Sequence, residues 1–460
     1  MEGASATHIA AKVRSGEWRA SAVVEETLAR ITERNTHLNA FTLVTAERAR
    51  REAAAVDEMV RQGRDPGSLA GVPYGVKNLF DIKGEITLAG SKINRDLGPA
   101  AQDAALIRRL SAAGAILVGA LNMGEYAYDF TGENVHYGPS RNPHDRSRMT
   151  GGSSGGSGAA IGGGLVPLAL GSDTNGSIRV PSSLCGIFGL KPTYGRLSSA
   201  GTFPFCPSLD HVGPMARTAE DLALAYDAMQ DPDAVDPALT DKPPEMLQGL
   251  SDALDPSVRI VVLGGYFGRQ GTKEARQALE LVAKALGVTD ETEIPEVAEA
   301  RAAAYLITNA ESSALHLPTL RHRAADYDPD VRDRMLAGAL LPATAYLQAQ
   351  RVRSRFQKNM ATIFQRYDIL LAPATPMTAP AIGQKTMDLG GESMLVRPHL
   401  GLYTQPLSFI GLPVAVVPVR LPGALPIGVQ IIAAPWQEAR VLQVVRVLEA
   451  RGFVSEAPQN

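Results

Sequence analysis

The chain has 460 residues, 45% of them hydrophobic and 20% charged, which is ample material for a large packed core and excludes disorder as its main state. Forty-five basic residues against 48 acidic ones give a net charge of −3, so there is no polycationic field for bulk phosphate binding and nucleic acid is not an expected partner. Two cysteines, Cys185 and Cys206, are too few for a disulfide framework; with no leader-like apolar core in the first 20 residues and no run of 18 apolar residues, the reading is a soluble cytoplasmic protein without metal or cofactor.

In chain order, Val24, Leu28 and Ile31 share one helical face, and 46–60 is a second, Ala-rich helix closed near Gly63. Asp103 is placed to cap a helix carrying Leu106, Leu110 and Ala113, which Gly114 ends, and the run AILVG at 115–119 then reads as a buried strand. This helix–strand step predicts an α/β fold. Residues 151–164 are rich in Gly and Ser but lead into the apolar run LVPLAL and a second glycine-bearing turn at 171–177, which a flexible linker would not do. The Asp- and Pro-rich stretch from about 229 to 257 reads as a surface excursion or boundary, and helical pattern dominates from about 272 to 366. Strands are expected at 368–373, 414–419 and 427–433, and an amphipathic helix over 437–451 closes the chain before Gly452.

The chemistry-bearing motifs narrow the function. H-E-x-x-H, the P-loop pattern and S-x-x-K are missing from the sequence. Gly156–Gly162 approaches a dinucleotide fingerprint with one residue too many, and the polar NPHDRSRMT before it is not the strand that motif requires. Gly151-Gly152-Ser153-Ser154-Gly155 matches G-x-S-x-G literally, but a nucleophile elbow must follow a buried strand, and His211, His316, His322 and His399 form no triad pattern.

Three separated segments, GVPYGVKNLFD (71–81), GGSSGGSGAA (151–160) and GSDTNGSIRVPSSLCGIFGLKPTYGR (171–196), resemble the amidase signature family. SLDHVGPMART, DILLAPATP and LPIGVQII extend the resemblance over nearly the whole chain. It implies a central mixed sheet sandwiched by helices in a single domain over 1–460, divided as an N-terminal helical segment (1–65), a signature core (66–228), a helical excursion (about 229–366) and a return to the sheet with a closing helix (367–460). It also implies a Ser-cisSer-Lys mechanism of acyl transfer, with Ser177 as nucleophile, Ser153 as relay and Lys77 as base. Singly, Lys77 reads as a surface lysine, GGSSGGSG as a linker and Ser177 as a helix cap; their order, spacing and flanks favour the joint reading.

Such a trio can dispense with histidine. A serine hydroxyl attacks only when something takes its proton, and a lysine amine does so near neutrality only if burial lowers its pKa from about 10.4 by several units. Val72, Val76, Leu79 and Phe80 around Lys77 are consistent with burial. Thr174, Asn175, Gly176 and Ser177 are the candidate oxyanion donors, with Asn175 departing from the T-G-G-S pattern of the family. Asp173 and Arg179 are read as structural groups beside the nucleophile, and the two cysteines as core residues.

Within the family, the stretches 125–145, 172–186 and 431–436 resemble the branch that hydrolyses 1-carboxybiuret in cyanuric acid and s-triazine breakdown. Its substrate is a small, flat, anionic amide, for which Tyr126, Tyr128, Asp129, Arg332 and Arg334 are candidate binding residues. The alternative is the glutaminase component of a glutamyl-tRNA(Gln) or aspartyl-tRNA(Asn) amidotransferase, whose glutamine-gripping Asp is matched here by Gly401. A silent scaffold protein would require a broken trio, and all three residues are present. The resemblance further implies a small helical partner, similar to the C subunit of the amidotransferases, and it is compatible with homodimerisation of that complex.

Overall fold

The computed structural model describes residues 1, 3–230, 236–247 and 251–456. Its centre is an 11-stranded sheet. In chain order the strands are β1 (Phe41–Val44), β2 (Pro73–Lys77), β3 (Ile116–Leu121), β4 (Leu168–Ser172), β5 (Phe188–Lys191), β6 (Val212–Ala216), β7 (Ile260–Leu263), β8 (Glu291–Thr292), β9 (Ile369–Pro373), β10 (Val414–Val419) and β11 (Ile427–Ala433). They lie side by side as β1-β3-β2-β4-β6-β5-β10-β11-β9-β7-β8. The sheet is mixed: β2 runs parallel to β3 and β4, β9 to β7 and β7 to β8, while the other neighbours are antiparallel. Helices cover both faces, as the α/β expectation required.

The central strands are near-continuous apolar runs because both faces are covered. Their alternate side chains feed opposite layers. Ile369, Leu371, Ala415, Val417 and Ile431 join one apolar cluster, whereas Leu370, Ala372, Val414 and Ile432 join the other. The two clusters are thus the two sides of one sheet.

Two local expectations change. Asp103 does not cap the Ala105–Ala112 helix, whose start carries no side-chain cap; its carboxylate instead accepts from Arg48 Nη1 and Nη2 at 2.7 and 2.9 Å and from the Lys83 N–H. A bidentate guanidinium outcompetes a single backbone donor for the same oxygens. The excursion also supplies β7 and β8 at the edge of the main sheet, between helical segments, because runs as short as IVVL carry no helix–strand distinction in their periodicity. Of the Asp- and Pro-rich stretch, residues 231–235 and 248–250 lie outside the described residues. Beyond it the helices Val297–Arg323, Pro329–Ala339 and Ala343–Arg366 pack together, and the first reaches back toward the carboxyl ends of β2 and β4.

Candidate active site

Parallel strands present their carboxyl ends on one side of a sheet, where ligand sites concentrate. Lys77 and Ser172 are the last residues of β2 and β4, adjacent parallel strands paired through Val76 and Leu170. Lys77 is fully buried, and its Nζ lies 2.6 Å from Ser153 Oγ and 2.8 Å from Ser172 Oγ. Burial drives its pKa down from 10.5 to about 7, against the opposing pull of Asp173, Asp210 and Asp129. The amine is therefore able to hold or release a proton near neutrality.

Ser153 follows a cis peptide bond from Gly152. Only glycine fits there, since a methyl group on Gly152 would lie 2.7 Å from both Asp129 Oδ2 and the Gly132 nitrogen. The next residue ties this loop to β4: Ser154 Oγ donates to the Ser172 carbonyl and accepts from the Ser172 N–H. The Ser154 N–H in turn donates to the carbonyl of Ser177.

Ser177 ends the loop between β4 and the Arg179–Cys185 helix. A buried clamp fixes this loop. Asp173 accepts from the N–H groups of Ile178 and Arg179, from Arg179 Nε and Nη2 at 2.9 and 3.0 Å, and from Ser408 Oγ. Arg179 continues to Gln430 Oε1 and Ser408 Oγ. Burial alone would raise the Asp173 carboxyl, but the Arg179 guanidinium holds it well below the usual carboxylate range. Thr174 Oγ1 donates to Asp210, whose own carboxyl burial pushes up, and Thr404 Oγ1 donates to the Asn175 carbonyl. Gly176 has a φ of 144°, and a methyl group there would sit 2.1 Å from Thr404 Oγ1, so neither conformation nor space admits a side chain. With the loop so held, the backbone N–H groups of Thr174, Asn175, Gly176 and Ser177 donate to no other group among the described residues.

Above this loop lies a cavity with about 400 Å³ of empty space, the size of a small-ligand site. Ser177, Asn175, Tyr128, Asp129, Tyr305 and Arg334 are among its lining residues. Of the sequence candidates, Lys77 and Ser153 are hydrogen-bonded beneath it, and Ser177, Asn175, Tyr128, Asp129 and Arg334 face it.

Tyr126 and Arg332 are not brought to this cavity. Tyr126 stacks in an aromatic group with Phe203, His316 and Tyr327, its hydroxyl donating to Asn94. With φ of 49° at Tyr126 and 62° at Ala127, it anchors a turn that delivers Tyr128 and Asp129 instead. Arg332 pairs with the exposed Asp333.

Sequence reasoning missed Ser172, although its place after LALG, on the strand beside Lys77, was a usable signal. It also missed Tyr305 and Thr308, which share a face of the Val297–Arg323 helix at a spacing of three. Arg397 was missed as well; it reaches Asp129, Asp328 and Asp330 from far along the chain, at 3.1, 2.8 and 2.6 Å.

The comparisons agree with this geometry. The Amidase family model matches residues 22–442. The AtzE component of 1-carboxybiuret hydrolase from Pseudomonas sp. (strain ADP) is 52% identical over 449 residues, covering 96% of this chain and 97% of the relative. The glutamyl-tRNA(Gln) amidotransferase glutaminase component (GatA type) of Geobacillus stearothermophilus is 34% identical, with 93% of each chain covered. Among solved structures, one described as a vestigial protein complex revealing the origins of an s-triazine catabolic enzyme superposes with a TM-score of 0.95 at 50% identity, over 98% of this chain and 99% of that one. A bacterial aryl acylamidase of the amidase signature family gives 0.91 at 27% identity, over 99% of this chain and 97% of that one. By fold, motifs and near-complete alignment, the chain belongs to the amidase signature family, as a hydrolase of carbon–nitrogen bonds in linear amides.

Proposed function

We propose that the protein releases ammonia from 1-carboxybiuret, with Ser177 as nucleophile, Ser153 as proton relay and Lys77 as general base. The observation that carries the mechanism is the buried Lys77 amine, depressed to about 7 and 2.6 Å from Ser153 Oγ. Neutral Lys77 takes the Ser153 proton as Ser153 takes that of Ser177, and Ser177 Oγ attacks the amide carbon. The uncommitted N–H groups of residues 174–177 then receive the oxyanion. Collapse breaks the C–N bond, and the relayed proton leaves with ammonia; water repeats the sequence in reverse on the acyl-Ser177 ester, leaving a carboxylate.

The substrate reading draws on the 52% identity to the Pseudomonas enzyme, against 34% for the amidotransferase component. A local observation supports it. A side chain at 401 would begin 2.3 Å from the Phe130 ring, so Phe130 fills the space that a substrate-gripping carboxylate at that position would need. We read the chain as one catalytic unit, since the groups around the cavity come from residues 77 to 405 on a single sheet. A small helical partner, similar to the C subunit of the amidotransferases, belongs to the same reading, supported by the matched structure's description as a protein complex.

The test is ammonia release from 1-carboxybiuret and from glutamine, compared as kcat/KM with that partner present. The carboxybiuret value is expected to be at least tenfold higher. A glutamine preference, above all one stimulated by an aminoacyl-tRNA, replaces the substrate assignment.

A further inference from the structure

The cavity over Ser177 has two charged side chains in its lining, Asp129 and Arg334, and their circumstances differ. Asp129 is saturated. Its oxygens accept from the N–H groups of Thr131 and Gly132, from Thr131 Oγ1 and from Arg397 Nε. Arg397, the cation that neutralises it, is itself held by three carboxylates. Neither group has capacity left for a ligand.

Arg334 is the opposite case. Its Nε donates to the Asp330 carbonyl at 2.7 Å and one Nη donates to the Tyr128 carbonyl at 3.0 Å, and the guanidinium lies 4.0 Å from the centre of the Tyr128 ring. These contacts fix its plane without cancelling its charge, because no carboxylate among the described residues pairs with it. Arg301, nearby on the Val297–Arg323 helix, donates to Gln405 and the Pro398 carbonyl and lines an adjoining cleft rather than this cavity. Arg334 lines both the inner cavity and a wider outer cleft, so an entering ligand passes it.

Two more polar atoms in the cavity wall are buried without a partner: Asn175 Oδ1, whose amide nitrogen is spent on Thr308, and the Tyr128 hydroxyl. An oriented cation, an acceptor with no donor and a free hydroxyl together complement a molecule that carries both a carboxylate and amide N–H groups. Buried polar atoms left unpaired are costly, so a ligand that satisfies them is favoured over one that does not.

We propose that Arg334 is the specificity-determining residue that binds the carboxylate of the substrate, with Asn175 Oδ1 taking one of its N–H groups, so that the enzyme selects anionic amides over their neutral counterparts. This rests on the amidase reading above but not on 1-carboxybiuret being the substrate.

The experiment compares kcat/KM within two pairs, 1-carboxybiuret against biuret and malonamate against malonamide, for wild type, Arg334→Met and Arg334→Lys. Wild type should favour the carboxylated member of each pair by ten- to a hundredfold, the range of one charge-assisted contact. Arg334→Met should bring that ratio to within about threefold through a rise in KM, and Arg334→Lys should restore part of it. Preference within the malonamate pair alone would keep the Arg334 assignment and end the 1-carboxybiuret one. An unchanged ratio in Arg334→Met, or a parallel loss for both members of a pair, overturns the proposal. Calorimetric titration with malonate reads the same contact without turnover: binding should weaken tenfold or more in Arg334→Met, and equal binding likewise overturns it.

Discussion

Lys77→Met isolates the cost of keeping an ionisable amine under the sheet. The native side chain titrates near 7, against about 10.5 unfolded, so below pH 7 the folded state carries a protonated lysine that the unfolded chain would hold more easily. The sign follows from proton counts: between about pH 7 and 10.5 the unfolded chain binds more protons, so the lysine's penalty shrinks as pH rises. A difference of that size corresponds to about 5 kcal/mol below pH 7 and about 2 kcal/mol at pH 9. Methionine has similar length and no charge but strands the hydroxyls of Ser153 and Ser172, at a cost of about 1 kcal/mol each. The variant should therefore be more stable than wild type by about 3 kcal/mol at pH 6.5 and nearly equal to it at pH 9. Urea unfolding followed by circular dichroism at the two pH values measures the gap. A gap that is constant with pH, or that widens on the alkaline side, would refute the assignment of a depressed Lys77.

The same titration should appear in catalysis: kcat/KM rises with pH along a limb of apparent pKa about 7, levelling above it, and a flat profile from pH 5.5 to 9 would count against Lys77 as base. Asp173→Asn breaks a fully buried ion pair with Arg179 and should cost about 3–5 kcal/mol, read as a lowered urea midpoint, with a larger loss of kcat than the stability change explains. Gly401→Asp should not create a glutaminase, because Phe130 occupies the place of the new side chain; calorimetry showing tighter glutamine binding without loss of stability would contradict that.

The fold class was legible because the central strands are buried on both sides and so read as uninterrupted apolar runs, and because Gly63, Gly114 and Gly452 mark ends of helical segments. Less legible were features decided by tertiary competition. Asp103 sits where a cap belongs, yet Arg48 from another helix claims it. Tyr126 and Tyr128 are two residues apart in one motif, and only the positive-φ turn between them decides that the first enters an aromatic core and the second the cavity wall. Lys77, Ser153 and Ser177 could be singled out because each stands in a motif of its own, and the structure sets the first two in contact beneath the cavity that the third lines. The remaining wall comes from helix faces more than 100 residues away, where Tyr305 and Arg334 carry no local mark that separates them from surface residues such as Arg332.

The central claim is that Ser177 forms the bond to substrate. Its most direct test is ammonia release from 1-carboxybiuret by Ser177→Ala, purified with the small partner and shown by circular dichroism to be folded. Loss of turnover to background is the predicted result; retention of activity within tenfold of wild type would contradict the account.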